Sequence, residues 1–194
     1  GDEQLEVRHF EPKKQESGVT VHSTSKITNK ELLDYACGER KISEDVLHKF
    51  CVQIEISFPF GQDPNKTYSL IGFKSDMGGY ECRNSWMKVC TMPKSHTTIK
   101  GKSNDKCIMV EGFFDALSYF TYYGVLVPEY TLYCLNGAGQ FPVLNNLIGD
   151  KEILYYGDSD KNGDLILSNI KNGTDMRTIY PFFKDFNEYI CNLY

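Results

Sequence analysis

The chain has 194 residues, of which 41% are hydrophobic and 24% are charged. This length suffices for one domain, or for one domain with a small additional subdomain, and the composition excludes a disordered chain. The net charge of −5 argues against a surface that is basic throughout, but it is compatible with a local basic groove. The sequence has no signal peptide and no apolar run of membrane-spanning length.

Seven cysteines are spread along the chain, at positions 37, 51, 82, 90, 107, 134 and 191. Their number is odd and no two have the CxxC spacing of a zinc or redox motif. Cys107 and Cys134 lie inside apolar runs, where cysteine is usually a small buried hydrophobe. A reduced, cytoplasmic protein is therefore a better interpretation than a disulfide scaffold.

The first part of the chain mixes helix and strand signals. Residues 1–27 show little periodicity and predict a flexible lead-in. Thr28 and Glu31 have the spacing of a capping box, which predicts the start of a short helix, and Ser43 predicts the start of a second one. Strand-like runs follow, over 52–58, 68–73 and 80–83. Together these signals predict a small α+β subdomain over residues 28–100.

A polar connector then leads into a regular alternation of strands and helices. The predicted strands cover residues 107–110, 131–135, 152–156 and 176–180. Each is followed by a predicted helix, over residues 113–123, 142–148, 164–170 and 187–193. Four such units in succession predict an α/β domain over residues 101–194, with a parallel sheet, helices on both faces and right-handed crossovers.

Acidic residues stand at the ends of two of these strands. Glu111, Gly112 and Asp115 follow the first strand, and Asp158 and Asp160 follow the third. Ligands bind at the carboxyl ends of the strands in an open parallel sheet, so these side chains are expected to meet at one edge. Such a group of carboxylates suits Mg²⁺ (or Mn²⁺) and phosphate chemistry. Gly112 would let a ligand approach the backbone closely.

Simpler interpretations exist for each motif. The sequence Asp158-x-Asp160-x-Asn162-Gly163 matches the opening of an EF-hand loop, but Asn169 stands at the twelfth position and a strand is predicted before it. Residues 136–139 (Asn-Gly-Ala-Gly) predict a tight strand-to-helix turn rather than a phosphate-binding loop. Glu111 could be a helix cap or a surface group, and Asp185 could be only a helix cap.

A basic stretch with interleaved aromatic residues follows the front strands. Its basic members are Arg83, Lys88, Lys94 and Lys100, and its other members are Tyr80, Trp86 and His96. This mixture is typical of a groove for single-stranded nucleic acid, and it is also compatible with an ordinary solvated face. The metal–phosphate hypothesis favours the groove, because such a site needs a path for its polymer.

The order of these motifs resembles the TOPRIM domain of bacterial primases, over about residues 29–192. Primase-like TOPRIM proteins of mobile genetic elements are the most similar of that group. The motifs that carry the resemblance are Gly78-Gly79-Tyr80-Glu81-Cys82-Arg83-Asn84, Glu111-Gly112-x-x-Asp115, Asp158-x-Asp160 with Gly163, and Lys184-Asp185-Phe186-Asn187-Glu188. The resemblance implies a TOPRIM (Rossmann-like) parallel sheet flanked by helices and preceded by the small α+β subdomain.

The resemblance also implies a DNA primase-like nucleotidyltransferase, which makes primers on single-stranded DNA with Mg²⁺. Glu111 would be its catalytic general acid/base. The metal site would comprise Asp158, Asp160 and Asp185, supported by Asp115. Contacts to the template or nucleotide would come from Arg83, Lys88, Lys94 and Gly112. A TOPRIM nuclease and a non-catalytic nucleic-acid-binding module remain alternatives.

Two features depart from the family pattern. Asn187 stands where the family usually has a second Asp, which leaves one fewer charge for a second metal ion. The upstream zinc-binding domain of the family has no counterpart here, so we expect that module to have been left out of the sequence. A replicative helicase is a further partner that the resemblance suggests.

Overall fold

The structure is a computed structural model, and it describes residues 18–193. The strands are β1 (Thr20–Ser25), β2 (Cys51–Ser57), β3 (Tyr68–Lys74), β4 (Tyr80–Arg83), β5 (Lys88–Cys90), β6 (Thr97–Ile99), β7 (Ser103–Val110), β8 (Tyr130–Cys134), β9 (Glu152–Tyr156) and β10 (Gly173–Asp175). The helices are α1 (Lys30–Leu33), α2 (Glu44–Phe50), α3 (Phe113–Tyr123), α4 (Phe141–Ile148), α5 (Lys161–Ser168) and α6 (Phe186–Leu193). No helix among the described residues is long and apolar enough to cross a lipid bilayer.

The first sheet is antiparallel, with the strand order β1-β2-β3-β4-β5. Alternate residues of its strands face opposite sides, as the pleat requires. Ile54, Ile56 and Leu70 form a small core on one side. On the other side Phe73 stacks on Phe113 of α3 with ring centroids 5.5 Å apart. This contact joins the first sheet to the second half of the chain.

The second sheet has the order β10-β9-β7-β8-β6. Its central strand β7 pairs in parallel with β8 and β9, and β10 pairs in parallel with β9. Ile108 and Val110 of β7 face α3 and α6, whereas Cys107 and Met109 face α4 and α5. The predicted parallel sheet with helices on both faces is therefore confirmed. The edge strand β6 is antiparallel to β8 and was not predicted.

The start of the described chain differs from the prediction. Residues 20–25 form strand β1, so the predicted lead-in does not extend to residue 27, and its residues 1–17 lie outside the described part. All six side chains of β1 are exposed, which explains why its sequence shows no strand periodicity. Its pairing with β2 holds it in place instead.

Several element boundaries also needed correction, since α5 begins at Lys161 rather than at 164 and β7 begins at Ser103 rather than at 107. The cap of α1 is Asn29 rather than Thr28, because the Asn29 side chain accepts hydrogen bonds from the backbone N–H groups of Glu31 and Leu32. Residues 176–179 form a 3-10 turn rather than a strand, and the strand of this segment is the shorter β10 before it. The side chain of Asp175 caps that turn, which stops the strand at this point.

Asn187 is a structural residue at the start of α6. It is 1% exposed, and its amide donates hydrogen bonds to the carbonyl of Arg40 and the hydroxyl of Ser118, both at 2.9 Å. Its backbone N–H donates to Asp115 at 3.1 Å. A carboxylate at position 187 could not donate either of these hydrogen bonds, which gives a physical reason for an asparagine at this position.

Asn187→Asp is therefore expected to destabilise the fold by about 3 kcal/mol, because it leaves the carbonyl of Arg40 without this donor and buries a charge near Asp115. Thermal denaturation would show this as a melting temperature lower by about 6–12 °C. Asn192→Asp on the same helix is the matched control, since Asn192 is exposed and its amide bonds only the carbonyl of Glu188. Equal melting temperatures for the two variants would refute the structural role of Asn187.

Candidate active site

A cavity lies between the first sheet and the carboxyl ends of β7 and β9. It encloses about 870 Å³ including its open mouth. The side chains of five acidic and five basic residues line it, namely Glu81, Glu111, Asp115, Asp158, Asp185, Arg40, Arg83, Lys88, Lys94 and Lys184. Gly112, Phe113, Phe114, Asn136 and Gly137 complete the wall. The structure thus brings together every site residue predicted from the sequence except Asp160.

Glu111 follows β7 and is fixed by two hydrogen bonds to the same oxygen. Its Oε1 accepts from the hydroxyl of Tyr155 at 2.6 Å and from the backbone N–H of Asp158 at 2.9 Å. The Glu111 carboxylate is thereby oriented, and its Oε2 is left to interact with a ligand. Burial, followed by the bond to Glu111, raises the pKa of Tyr155, so this phenol keeps its proton.

Asp158 and Asp185 come from separate segments that are joined by a hydrogen bond between backbone groups. The N–H of Ser159 donates to the carbonyl of Lys184 at 2.6 Å, which holds the loop after β9 against the segment before α6. Asp185 also accepts from the N–H of Glu188 at 2.7 Å, so its predicted capping role is real. Burial, followed by the charges of Glu111 and Asp185, raises the pKa of Asp158 to about 6.

Asp115 forms the back of the cavity in the first turn of α3. It is 8% exposed, and burial, followed by the charges of Asp185 and Asp158, raises its pKa well above the usual range. Gly112 leaves room for it, because a Cβ at position 112 would lie 3.0 Å from the Asp115 Oδ2. This environment favours a neutral, supporting acid over a charged metal ligand.

Asp160 does not line the cavity. Its Oδ1 accepts from the N–H groups of Asn162 and Gly163, both at 2.9 Å, and so caps α5. The alternation of residues after β9 predicted that Asp160 would face the same site as Asp158. Its side chain instead caps the N-terminus of α5, because the first backbone N–H groups of a helix need acceptors. The EF-hand alternative is wrong, because strand β9 precedes this segment and α5 begins at Lys161.

Two of the five basic residues of the cavity come from the first sheet. Arg83 and Lys88 lie opposite each other on β4 and β5. Lys94 lies 3.9 Å from Glu81, and it fits over Gly137, whose absent Cβ would be 3.3 Å from its Nζ. Gly137 has φ 129°, which glycine adopts readily in the tight turn predicted there. Tyr80, His96 and Lys100 of the predicted groove do not line this cavity.

Arg40 was missed by the sequence analysis. Its guanidinium lies 4.6 Å from the ring centroid of Phe114, and the guanidinium of Arg83 lies 5.8 Å from the same ring. Among the described residues the buried Nε of Arg40 has no hydrogen-bond partner. Arg40 follows a short π-helical segment, Asp34–Glu39, and no motif spacing marks it as a site residue.

The donor set suits a divalent cation that is held partly by substrate. Within residues 18–193 no three His, Cys, Asp or Glu side chains already form a metal cluster. Burial raises the pKa of Asp158 most, and the negative charges of Glu111 and Asp185 raise it further; a cation would relieve this repulsion. Mg²⁺ commonly takes only one or two carboxylates and completes its shell with water and phosphate oxygens. The carboxylates fit Mg²⁺ bound in that way.

The raised pKa of Asp158 makes its ionisation costly to the fold. The folded protein keeps this proton up to about pH 6, whereas the ordinary value is 3.8, so stability falls as the pH rises through that window. Without metal, Asp158→Asn is expected to be more stable than the wild type by roughly 1 kcal/mol at about pH 8, after allowance for solvent screening. Thermal unfolding in EDTA should show this gain shrinking towards about pH 4. If the stability gained by Asp158→Asn did not change with pH, the raised pKa of Asp158 would be contradicted.

The fold is of the primase type, as its similarity to two solved structures shows. The primase fragment of the bacteriophage T7 primase-helicase protein has a similar structure, with a TM-score of 0.54 and 16% sequence identity over 90% of this chain and 76% of that chain. A second similar chain belongs to a structure of bacteriophage T7 lagging-strand DNA polymerase interacting with primase domains bound to an RNA/DNA hybrid and dTTP. It has a TM-score of 0.53 and 18% identity over 87% of this chain and 91% of that chain.

Sequence comparisons give less information than the fold. A family described as "Domain of unknown function (DUF8464)" matches residues 21–92, which cover the first sheet and its helices. No curated protein matches the chain. The identities with the two T7 structures are low, so these similarities show the fold alone.

Proposed function

We propose that the protein is a TOPRIM-type DNA primase core, a nucleotidyltransferase that makes primers on single-stranded DNA with Mg²⁺ or Mn²⁺. The observation that carries this proposal is the meeting of Glu111, Asp158 and Asp185 with a basic wall in one cavity. Residues 28–100 would be the α+β subdomain of a primase core and residues 101–194 the TOPRIM domain. The T7 primase structures support the same class of function through their fold.

Glu111 is suited to accept the proton of an attacking 3′-hydroxyl. Its Oε1 is held by Tyr155 and by the backbone of Asp158, so its Oε2 stays in a fixed position at the cavity. A positioned base of this kind contributes about 10²–10⁴-fold to the rate.

Other acidic residues of the cavity are suited to bind the metal ion, and basic residues are suited to bind phosphates. Asp158 and Asp185 would hold the metal ion, which when bound activates the attacking hydroxyl and neutralises charge on the transferring phosphoryl group. Arg83, Lys88 and Lys94 would bind the phosphates of the nucleotide and template. Asp115 would support the wall between them as a neutral acid.

The test is to follow labelled nucleotides and a labelled single-stranded template in the same reaction. We expect the wild type to join nucleotides into short primers with Mg²⁺ or Mn²⁺, to be inactive in EDTA, and to leave the template intact. Asp158→Asn should lose primer synthesis. Template cleavage that needs metal but no nucleotides would replace the proposal by a nuclease. If the protein bound single-stranded DNA but neither made primers nor cleaved the template, even in a longer chain with a zinc-binding module, it would be a non-catalytic nucleic-acid-binding module.

A further inference from the structure

The hairpin formed by β4 and β5 extends from the cavity to an exposed aromatic tip. Arg83 and Lys88, at the base of the turn, line the cavity. Trp86 at the tip is the only tryptophan of the chain and is 67% exposed. A large exposed aromatic side chain next to a charged cavity is typical of binding surfaces, since the interior would normally bury it.

The turn that carries Trp86 is rigid. Asn84 is buried, and its side-chain oxygen accepts from the N–H of Trp86 at 3.1 Å and of Met87 at 2.8 Å. Its amide donates to the carbonyl of Ser69 at 3.3 Å on the neighbouring strand. The indole is therefore presented by a fixed backbone, which lowers the entropy that a stacking ligand must overcome.

Trp86 is one side of a small aromatic and basic surface. Its ring lies edge-on to Tyr68 with centroids 5.8 Å apart, and the ammonium group of Lys66 lies 5.1 Å from the centre of the Tyr68 ring. A hollow beside these rings is lined by polar side chains that can form hydrogen bonds, including Ser69, Asn84 and Ser85. Glu31 is the one acidic residue in its lining.

We propose that Trp86, Tyr68 and Lys66 form a stacking platform for an unpaired base of the single-stranded DNA template, outside the catalytic cavity. Three features carry the proposal: the exposed indole, the cation beside the second ring and the continuity with Arg83 and Lys88. Trp86 stands three positions after Arg83, in the turn that joins β4 to β5, so the platform adjoins the basic wall of the cavity. The platform rests on the proposed function for its substrate, but its binding requires neither metal nor nucleotides.

The single tryptophan makes the test direct. Oligodeoxythymidylate titrated in EDTA should quench the fluorescence of Trp86, because a stacked base lies against the indole. Trp86→Ala should weaken binding of a dye-labelled oligonucleotide by about 5–150-fold, the range for one stacked base, and Trp86→Phe should retain most of the affinity. Leu147→Ala is the control, since Leu147 is 64% exposed on α4.

Unquenched fluorescence together with unchanged affinity of Trp86→Ala would overturn the platform, as would a wild type that binds no single-stranded DNA. A protein partner that protects Trp86 while DNA does not would also overturn it. Because the titration contains neither metal nor nucleotides, primer synthesis by a protein that shows neither quenching nor an effect of Trp86→Ala would reject only the platform. Quenching without primer synthesis would keep the platform and reject only the proposed catalytic function.

Discussion

Glu111→Gln is expected to lower the rate of primer synthesis by about 10²–10⁴-fold, the contribution of a positioned general base. Glutamine has nearly the same shape, and its oxygen can still accept from Tyr155 and from the N–H of Asp158. The fold should therefore persist while the base is lost. The measurement is the initial rate of nucleotide incorporation at saturating metal, template and nucleotides, together with a melting curve.

Glu152→Gln is the matched control for this variant. Glu152 lies at the opposite end of β9 and pairs with Lys106 at 2.8 Å on the surface. Its replacement should leave the rate of primer synthesis within about twofold, because surface ion pairs contribute little to stability and this one is outside the cavity. If Glu111→Gln and Glu152→Gln had the same rate, Glu111 would not be the base.

Gly163→Ala should have the second large effect, on both stability and activity. A Cβ at this position would lie 1.9 Å from the carbonyl oxygen of Asp158 and 3.2 Å from Oε1 of Glu111. The backbone of the acidic loop would have to shift, so both carboxylates would move. We expect a loss of about 3 kcal/mol in the free energy of unfolding and of at least about a hundredfold in rate.

Gly139→Ala separates this effect from the general effect of replacing a glycine. A Cβ at Gly139 would meet no atom within 4 Å, so the substitution should be neutral or slightly stabilising. Chemical denaturation of both variants measures the difference. If Gly163→Ala were as stable and as active as Gly139→Ala, the close packing of α5 against the Asp158 carbonyl would not matter.

The sequence could predict those parts of the fold and site that depend on local patterns. Buried parallel strands read as continuous apolar runs, so β7 and β9 could be located, and Glu111, Asp115 and Asp158 after them line one cavity. Strand β1 could not be found because all its side chains are exposed. Only its pairing with a strand about thirty residues later defines it.

Site residues were missed or misplaced where a local demand or a distant contact decided the outcome. Asp160 has the spacing of a ligand, but the free N–H groups at the start of α5 take its oxygen. Arg40 reaches the cavity only because the end of its helical segment packs on Phe114, a contact between residues far apart in sequence. Tyr155 lies within an apolar strand, and nothing local shows that its hydroxyl binds Glu111.

The most direct test of the account is the binding of Mn²⁺ to the cavity, followed by electron paramagnetic resonance with and without a non-hydrolysable nucleoside triphosphate. The carboxylates do not form a closed cluster, so we expect weak binding of Mn²⁺ to the protein alone and clearly tighter binding when the triphosphate is present. Asp158→Asn should weaken the second affinity by at least about tenfold, whereas Asp160→Asn should change it little. Equal affinities in the wild type and Asp158→Asn would contradict the account.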